Sequence, residues 1–173
     1  LNRKVKLMND ANCFTLSEAV DGAGKDYQSI FGIIVGTGFG GALSYKKEII
    51  EGANQIAGDW GHQPLPYPTK EEIETKINCP SMNCGRPLCA EQFMSGIGFK
   101  DVFNQKHKTS FTSEEIVKLD LDEDPRANSE LSLYEDRMAR LLAVMIGIFD
   151  PDAIIFGGGM SNIDRFYVNI PTL

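Results

Sequence analysis

Ile30-Phe-Gly-Ile-Ile-Val-Gly-Thr-Gly-Phe-Gly-Gly-Ala-Leu-Ser-Tyr45 is the stretch on which the reading of the chain turns. Ile30 to Val35 is a near-continuous apolar run, the mark of a buried strand. The glycines that follow, Gly36 to Gly41, formally match the G-x-G-x-x-G fingerprint of dinucleotide-binding folds. That fingerprint needs a helix after the glycines, so that pyrophosphate meets a helix N-terminus. Here Ala42 to Tyr45 read as another strand, Lys46-Lys47 as a tight turn, and Glu48 to Ile50 as a third strand. Two readings of Gly36–Gly41 stay open: a hairpin whose glycines supply positive φ, or a nest whose N–H groups approach a phosphate.

Working outward, Val5 to Met8 reads as a short strand leading into Asn9-Asp10, and helical spacing follows from Ala11 to about Val20, ending at Gly22 and Gly24. Asp10 is either a strand-end carboxylate able to take a hydroxyl proton or the N-cap of that helix. Gly52 to Pro68 lacks a period but holds Trp60, His62 and Tyr67, so it is a functional loop rather than a linker. A charged stretch, Lys70 to Lys76, comes next. Glu91 to Asn104 is helical, interrupted around Gly96 and Gly98, and Thr112-Ser-Glu-Glu115 has the capping-box pattern. The longest helix is expected from about Ser129 to Phe149, where Tyr134, Met138, Leu141, Leu142, Met145 and Phe149 recur at helical spacing, and Asp150-Pro151 ends it. Ala153 to Phe156 is a second buried strand, Gly157 to Gly159 a tight turn for a flat ligand or merely a permissive corner, and Ser161 starts another helix. This order points to α/β architecture.

Composition narrows the partners. With a net charge of −7 and no basic block, the chain is not expected to bind nucleic acid, which requires clustered Lys and Arg. No apolar run approaches the roughly 20 residues of a membrane span, and Leu1-Asn-Arg-Lys4 does not open a signal peptide, so neither membrane nor export is expected. The absence of an initial Met suggests a piece of a longer protein. Cys79, Cys84 and Cys89 fall within eleven residues, an odd cluster that cannot pair internally, which fits a reduced cytoplasmic setting. Together with His62 they are a ligand set for structural zinc; the alternative is buried thiols near an unrelated histidine. Asp59 and Glu91 complete the candidate carboxylates.

These pieces, in this order, resemble the ROK family of sugar kinases and sugar-responsive repressors. The resemblance runs from Asn9-Asp-Ala-Asn12 to Gly157-Gly-Gly-Met-Ser161 and rests above all on Ile56-Ala-Gly-Asp-Trp-Gly-His62 and Cys84-Gly-Arg-Pro-Leu-Cys-Ala-Glu91. It implies an actin-like ATPase fold (ribonuclease H-like, hexokinase-type). Residues 1–10 then end an N-terminal lobe and hinge. Residues 11–173 form the C-terminal lobe, with a zinc- and sugar-binding module at about 51–100.

By the same resemblance, Asp10 is the general base, and Asn9, Asp59, His62 and Glu91 are sugar ligands. Gly36, Thr37, Gly38, Gly40 and Gly41 form a phosphate loop, and Gly157, Gly158 and Gly159 an adenosine turn. The implied cofactors are ATP, Mg2+ with the nucleotide, and structural zinc held by His62, Cys79, Cys84 and Cys89; the implied assembly is a homodimer. Gln63-Pro-Leu-Pro-Tyr67 resembles the fructokinase branch, with N-acetylglucosamine or glucose kinase and a ROK repressor as alternatives. The kinase-like Asn9-Asp-Ala-Asn12 favours an enzyme over a repressor.

Three departures stand out. Asp59 is one methylene shorter than the usual Glu. Met82 occupies the position of the first zinc cysteine, leaving Cys79 as its substitute, and Leu88 replaces a glycine. The opening phosphate loop of such kinases is not in this sequence, so the fragment alone is expected to be inactive, and a third reading is a non-catalytic zinc- and sugar-binding piece.

Overall fold

The computed structural model describes Arg3, Val5, residues 7–75 and residues 77–173. Its elements are α1 (Asp10–Val20), β1 (Ser29–Val35), β2 (Phe39–Tyr45), β3 (Glu48–Ile49), α2 (Lys70–Glu74), α3 (Ala90–Met94), α4 (Gly96–His107), α5 (Ser113–Leu121), α6 (Pro125–Phe149), β4 (Ala153–Gly157) and α7 (Arg165–Asn169). The strands form one sheet in the order β3-β2-β1-β4. β1 pairs antiparallel with β2 and parallel with β4, joining Ile30 to Ala153 and Ile34 to Gly157. Lys46 and Lys47 both take positive φ, the geometry of a two-residue hairpin turn.

The two faces of β1 are covered differently. On one face, α1 packs close through the small side chains of Ala11, Thr15 and Ala19, and a Cβ on Gly32 would collide with Thr15. On the other, Phe31, Ile33 and Val35 join Phe39, Trp60, Phe93, Phe99 and the inner face of α6, namely Leu131, Tyr134, Met138 and Leu141. Trp60 meets Phe31 edge-on at 4.7 Å and Phe39 at 4.9 Å, contacts worth about 0.5–1.5 kcal/mol each beyond area burial.

Several expectations shift. Of the strand expected at Val5–Met8, Lys6 lies outside the described residues, while Val5, Leu7 and Met8 are exposed and belong to no strand. α6 starts at Pro125 rather than Ser129, because Asp124 caps it through Arg126 N–H and proline suits its first turn. The charged stretch after Pro68 contains α2, closed by a capping box between Thr69 and Glu72. The break in the 91–104 helix falls at Ser95, the N-cap of α4. After β4 the chain makes a 3-10 turn over Gly159–Asn162, and helix resumes only at Arg165.

Inside the helical layer lies a buried ion network. Arg137 Nε is 2.8 Å from Glu72 Oε1 and Arg137 Nη1 is 3.0 Å from Glu130 Oε1, with all three side chains buried. Arg140 adds a 2.8 Å bond to Glu72 and donates to the carbonyls of Pro66 (2.5 Å) and Tyr67 (3.0 Å). The network thus ties α2 and the 63–69 loop to α6. Removing one partner leaves the others charged and buried, so Arg137→Ala is expected to cost about 3–5 kcal/mol. Urea denaturation checks this; a loss below about 1 kcal/mol would show that the network is not a structural anchor.

Candidate active site and metal centre

Because β1 and β4 are parallel, the Gly36–Gly41 turn and the Gly157–Gly159 turn lie at the same end of the sheet. α1 delivers its N-terminus to that end as well. Asn9 is the helix cap, its Oδ1 accepting from Ala11 N–H at 2.8 Å, so Asp10 sits in the first turn instead of capping. Asp10 Oδ1 also accepts from Ala11 N–H at 2.8 Å.

Two cavities flank the Gly36–Gly41 turn. The first, about 510 Å³, is walled by Asn9, Asp10, the glycine turn, Gln55–Ala57, Asp59 and Glu91. The second, about 720 Å³, lies between the same turn, α4, α5 and Gly159. Gly36 and Thr37 border both. A Cβ on Gly36, Gly40 or Gly159 would enter open space, the form of a cradle that a ligand can approach closely. Gly157 and Gly158 do something else: a Cβ on Gly157 would stand 2.6 Å from the Phe14 ring, and Gly158, at φ +88°, packs on Val35 and Gly36. Of these three glycines, only Gly159 borders the second cavity.

Among the described residues, the first cavity is lined by three carboxylates and no cation, and the second by one cation, Lys100. Lys100, Thr112, Ser113 and Asn162 were not read as site residues from the sequence, where Thr112 and Ser113 figured only in a capping box, since nothing local marks a cavity formed between α4, α5 and two glycine turns. Burial pushes the Glu91 carboxyl up, opposed by nearby His62 and reinforced by Asp59. Asp59 itself is exposed at the cavity rim.

His62 does not line either cavity, but its Nδ1 lies 3.3 Å from Glu91 Oε2. A short antiparallel pairing puts it there. Leu65 N–H donates to Leu88 O (2.7 Å), Ala90 N–H to Gln63 O (2.8 Å) and Glu91 N–H to Gly61 O (2.8 Å). The same pairing sets His62 Nδ1 3.4 Å from Cys89 Sγ, while Cys79 Sγ lies 3.8 Å from His62 and Cys84 Sγ 3.9 Å from Cys89. All four donor atoms fall within 4.8 Å of one another. A tetrahedron with Zn–S bonds of about 2.3 Å and Zn–N of about 2.0 Å has edges of about 3.5–3.8 Å, so the donor set fits zinc. Cys79 is buried in the cluster, whereas Met82, at the expected family position, is wholly exposed. Burial raises the Cys89 and Cys79 thiols, and a backbone N–H of Arg86 lowers Cys84. Leu88, at a family glycine position, holds φ +57°.

The ROK family pattern matches residues 1–173, and the chain belongs to the ROK family. It is 34% identical over 172 residues to N-acetyl-D-glucosamine kinase of Pectobacterium carotovorum, covering 99% of this chain and 57% of that protein. The chain therefore spans little more than half the length of such relatives. Its fold is that of the ROK hexokinase from Thermus thermophilus (TM-score 0.83, 24% identity, 98% of this chain and 54% of that one). It is equally that of a ROK family glucokinase from Streptomyces griseus in complex with glucose and AMPPNP (TM-score 0.79, 23% identity, 96% and 56%). The expected actin-like ATPase fold is thereby established. Among the described residues no helix is long and apolar enough to cross a membrane.

The cluster geometry leads to a metal prediction. Purified protein is expected to carry one zinc per chain, and Cys89→Ser or Cys79→Ser to lower that content severalfold. Elemental analysis with thiol titration checks it; three freely titrating thiols in folded, zinc-free protein would rule the centre out.

Proposed function

We propose that the protein containing this chain is an ATP-dependent kinase that phosphorylates a hexose on its 6-hydroxyl. The observation that carries this reading is the shared wall: an acidic cavity and a second cavity holding Lys100 and Gly159 meet at Gly36–Thr37. A polyhydroxylated ligand suits the first, because ionised carboxylates accept from hydroxyls, and a nucleotide suits the second. Membership of a family that includes named sugar kinases supports the same assignment.

Asn9, Asp59 and Glu91 orient the sugar, and His62 serves the metal cluster beside Glu91. Asp10 aligns the attacking hydroxyl and takes its proton. Its place in the first turn of α1, with Asn9 providing the cap, leaves carboxylate oxygen free for that task. Phosphoryl transfer needs mainly positioning and charge neutralisation. Of the glycine turn, the Gly36–Thr37 peptide faces the phosphates, and Lys100 adds positive charge on the same side. Magnesium brought with the nucleotide supplies further neutralisation. Zinc at the Cys/His cluster supplies a rigid crosslink between the loops carrying His62 and Glu91.

Two readings compete for the sugar. Fructose rests on the Trp60–Tyr67 stretch alone. N-acetylglucosamine rests on relatives a third identical along nearly the whole chain. The shorter Asp59 and the exposed apolar Ile56 at the cavity wall leave room for an acetyl group. The second reading is the better supported.

Two measurements test the proposal. Asp10→Asn is expected to retain sugar binding but lose about 10²–10⁴-fold in turnover; near-normal turnover would remove Asp10 from the chemistry. A coupled ADP-release assay over N-acetylglucosamine, fructose, glucose and mannose is expected to give the highest kcat/KM for N-acetylglucosamine. A fructose preference would restore the fructokinase reading, and no turnover of any hexose by the protein would reject the kinase assignment.

A further inference from the structure

The break between α3 and α4 is built in an unusual way for a helix kink. Ser95 is fully buried. Its hydroxyl donates to Glu91 O (2.7 Å) and accepts from Gly98 N–H (3.0 Å), while its own N–H also reaches Glu91 O (3.1 Å). The next residue turns away from its own helix: Gly96 N–H donates to Gly36 O at 2.8 Å, and Ser113 Oγ holds the Gly96 carbonyl at 2.7 Å. No side chain fits at position 96, since a Cβ there would stand 2.9 Å from Gly36 O.

Glu91 stands at the start of this chain of bonds, and its side chain lines the acidic cavity opposite the glycine turn. A Cβ added at Gly38 would meet Glu91 Oε1 only at ordinary van der Waals distance, 3.4 Å, so nothing bonds the carboxylate directly to the turn. The connection runs through the backbone instead: Glu91 carbonyl, Ser95, Gly96 N–H and Gly36 carbonyl. Gly36 N–H in turn donates to Gly38 O at 3.0 Å, which braces the turn. On its far side the Gly36 peptide is backed by Gly158. The wall between the two cavities is therefore tied to Glu91, a residue of the acidic cavity.

We propose that Ser95 and Gly96 are positioning residues that couple occupancy of the acidic cavity to the posture of the glycine turn. A ligand that fixes Glu91 fixes one end of this chain, and the Ser95–Gly96 bonds carry that constraint to Gly36. The turn is then held ready for nucleotide phosphates, at less ordering cost when they arrive. Binding in either cavity tightens binding in the other, because such coupling is reciprocal. This inference rests on the kinase reading.

The test measures the affinity of the protein for AMPPNP with and without saturating sugar, by calorimetry, using the hexose preferred in the turnover assay. The parent protein is expected to bind AMPPNP about 5-fold or more tightly with sugar present, within the usual range of such couplings. Gly96→Ala, which pushes Gly36 O away, and Ser95→Ala, which cuts the link to Glu91, are each expected to bring that ratio close to one. Zinc content and affinity for the sugar alone should stay within about threefold of the parent, a combination that general loosening of the fold would not produce. Unchanged coupling in either folded variant, or a ratio of one in the parent, overturns the proposal while leaving the kinase assignment standing. A protein that binds neither hexose nor AMPPNP overturns both.

Discussion

The ladder between β1 and β4 is parallel, with Ile34 opposite Gly157, so both strands finish at the same end of the sheet. Everything functional follows from that pairing. Two strands distant in sequence each end in glycines, and parallel pairing lays the two turns side by side. A hairpin cannot do this, because antiparallel strands end at opposite edges. In open α/β sheets, ligand crevices form beyond the carboxyl ends of such strands. Here the crevice is divided by the first turn into an acidic half and a half that lies between α4, α5 and Gly159.

The acidic half depends on close packing elsewhere. Asp10 reaches the crevice only because α1 lies tight against β1, and it lies tight because Thr15 meets Gly32 with no side chain between them. Glu91 reaches it because the 61–65 and 88–91 segments pair, and that pair stands on Trp60 wedged between Phe31 and Phe39. Behind it, Arg140 secures the carbonyls of Pro66 and Tyr67 to α6. The crevice is thus assembled from loops, yet each loop is fastened to a strand or a long helix.

How much of this was legible in the sequence depended on whether the governing force was local. The β1–turn–β2 unit could be read because an apolar run against a glycine cluster is a local contrast, and α5 because its capping box precedes apolar residues. α2 has the same box at Thr69 and Glu72, but only five residues and no apolar stripe, so it read as no more than a charged stretch. Glu72, Glu130 and Arg137 look like a solvated face in any one-dimensional reading. Only the packing of α2 on α6 buries them together. The site divides the same way. Asp10, Asp59 and Glu91 were candidate carboxylates from the residues alone, their roles and that of Asn9 came from the family resemblance, and all four line one cavity. Lys100 and Ser95–Gly96 belong to contacts between elements, which no spacing rule encodes.

The position of the Cys/His cluster defines what a metal there can do. None of its four residues lines either cavity, and all four ligand positions are filled by protein side chains. A closed donor set leaves no place for substrate, so its effect on chemistry must pass through geometry. The route is short: Cys89 immediately precedes α3, and Glu91 lies in the first turn of that helix. His62 sits in the facing segment with Nδ1 between the thiols and the Glu91 carboxylate. The chain also tolerates Leu88 at φ +57°, a conformation that glycine adopts at lower cost. Its N–H bond to Gln92 and its carbonyl bond to Leu65 anchor that strained peptide on both sides. A crosslink at Cys89 would hold the same turn from its other end, and so a site outside the crevice can still set the angle at which Glu91 enters it.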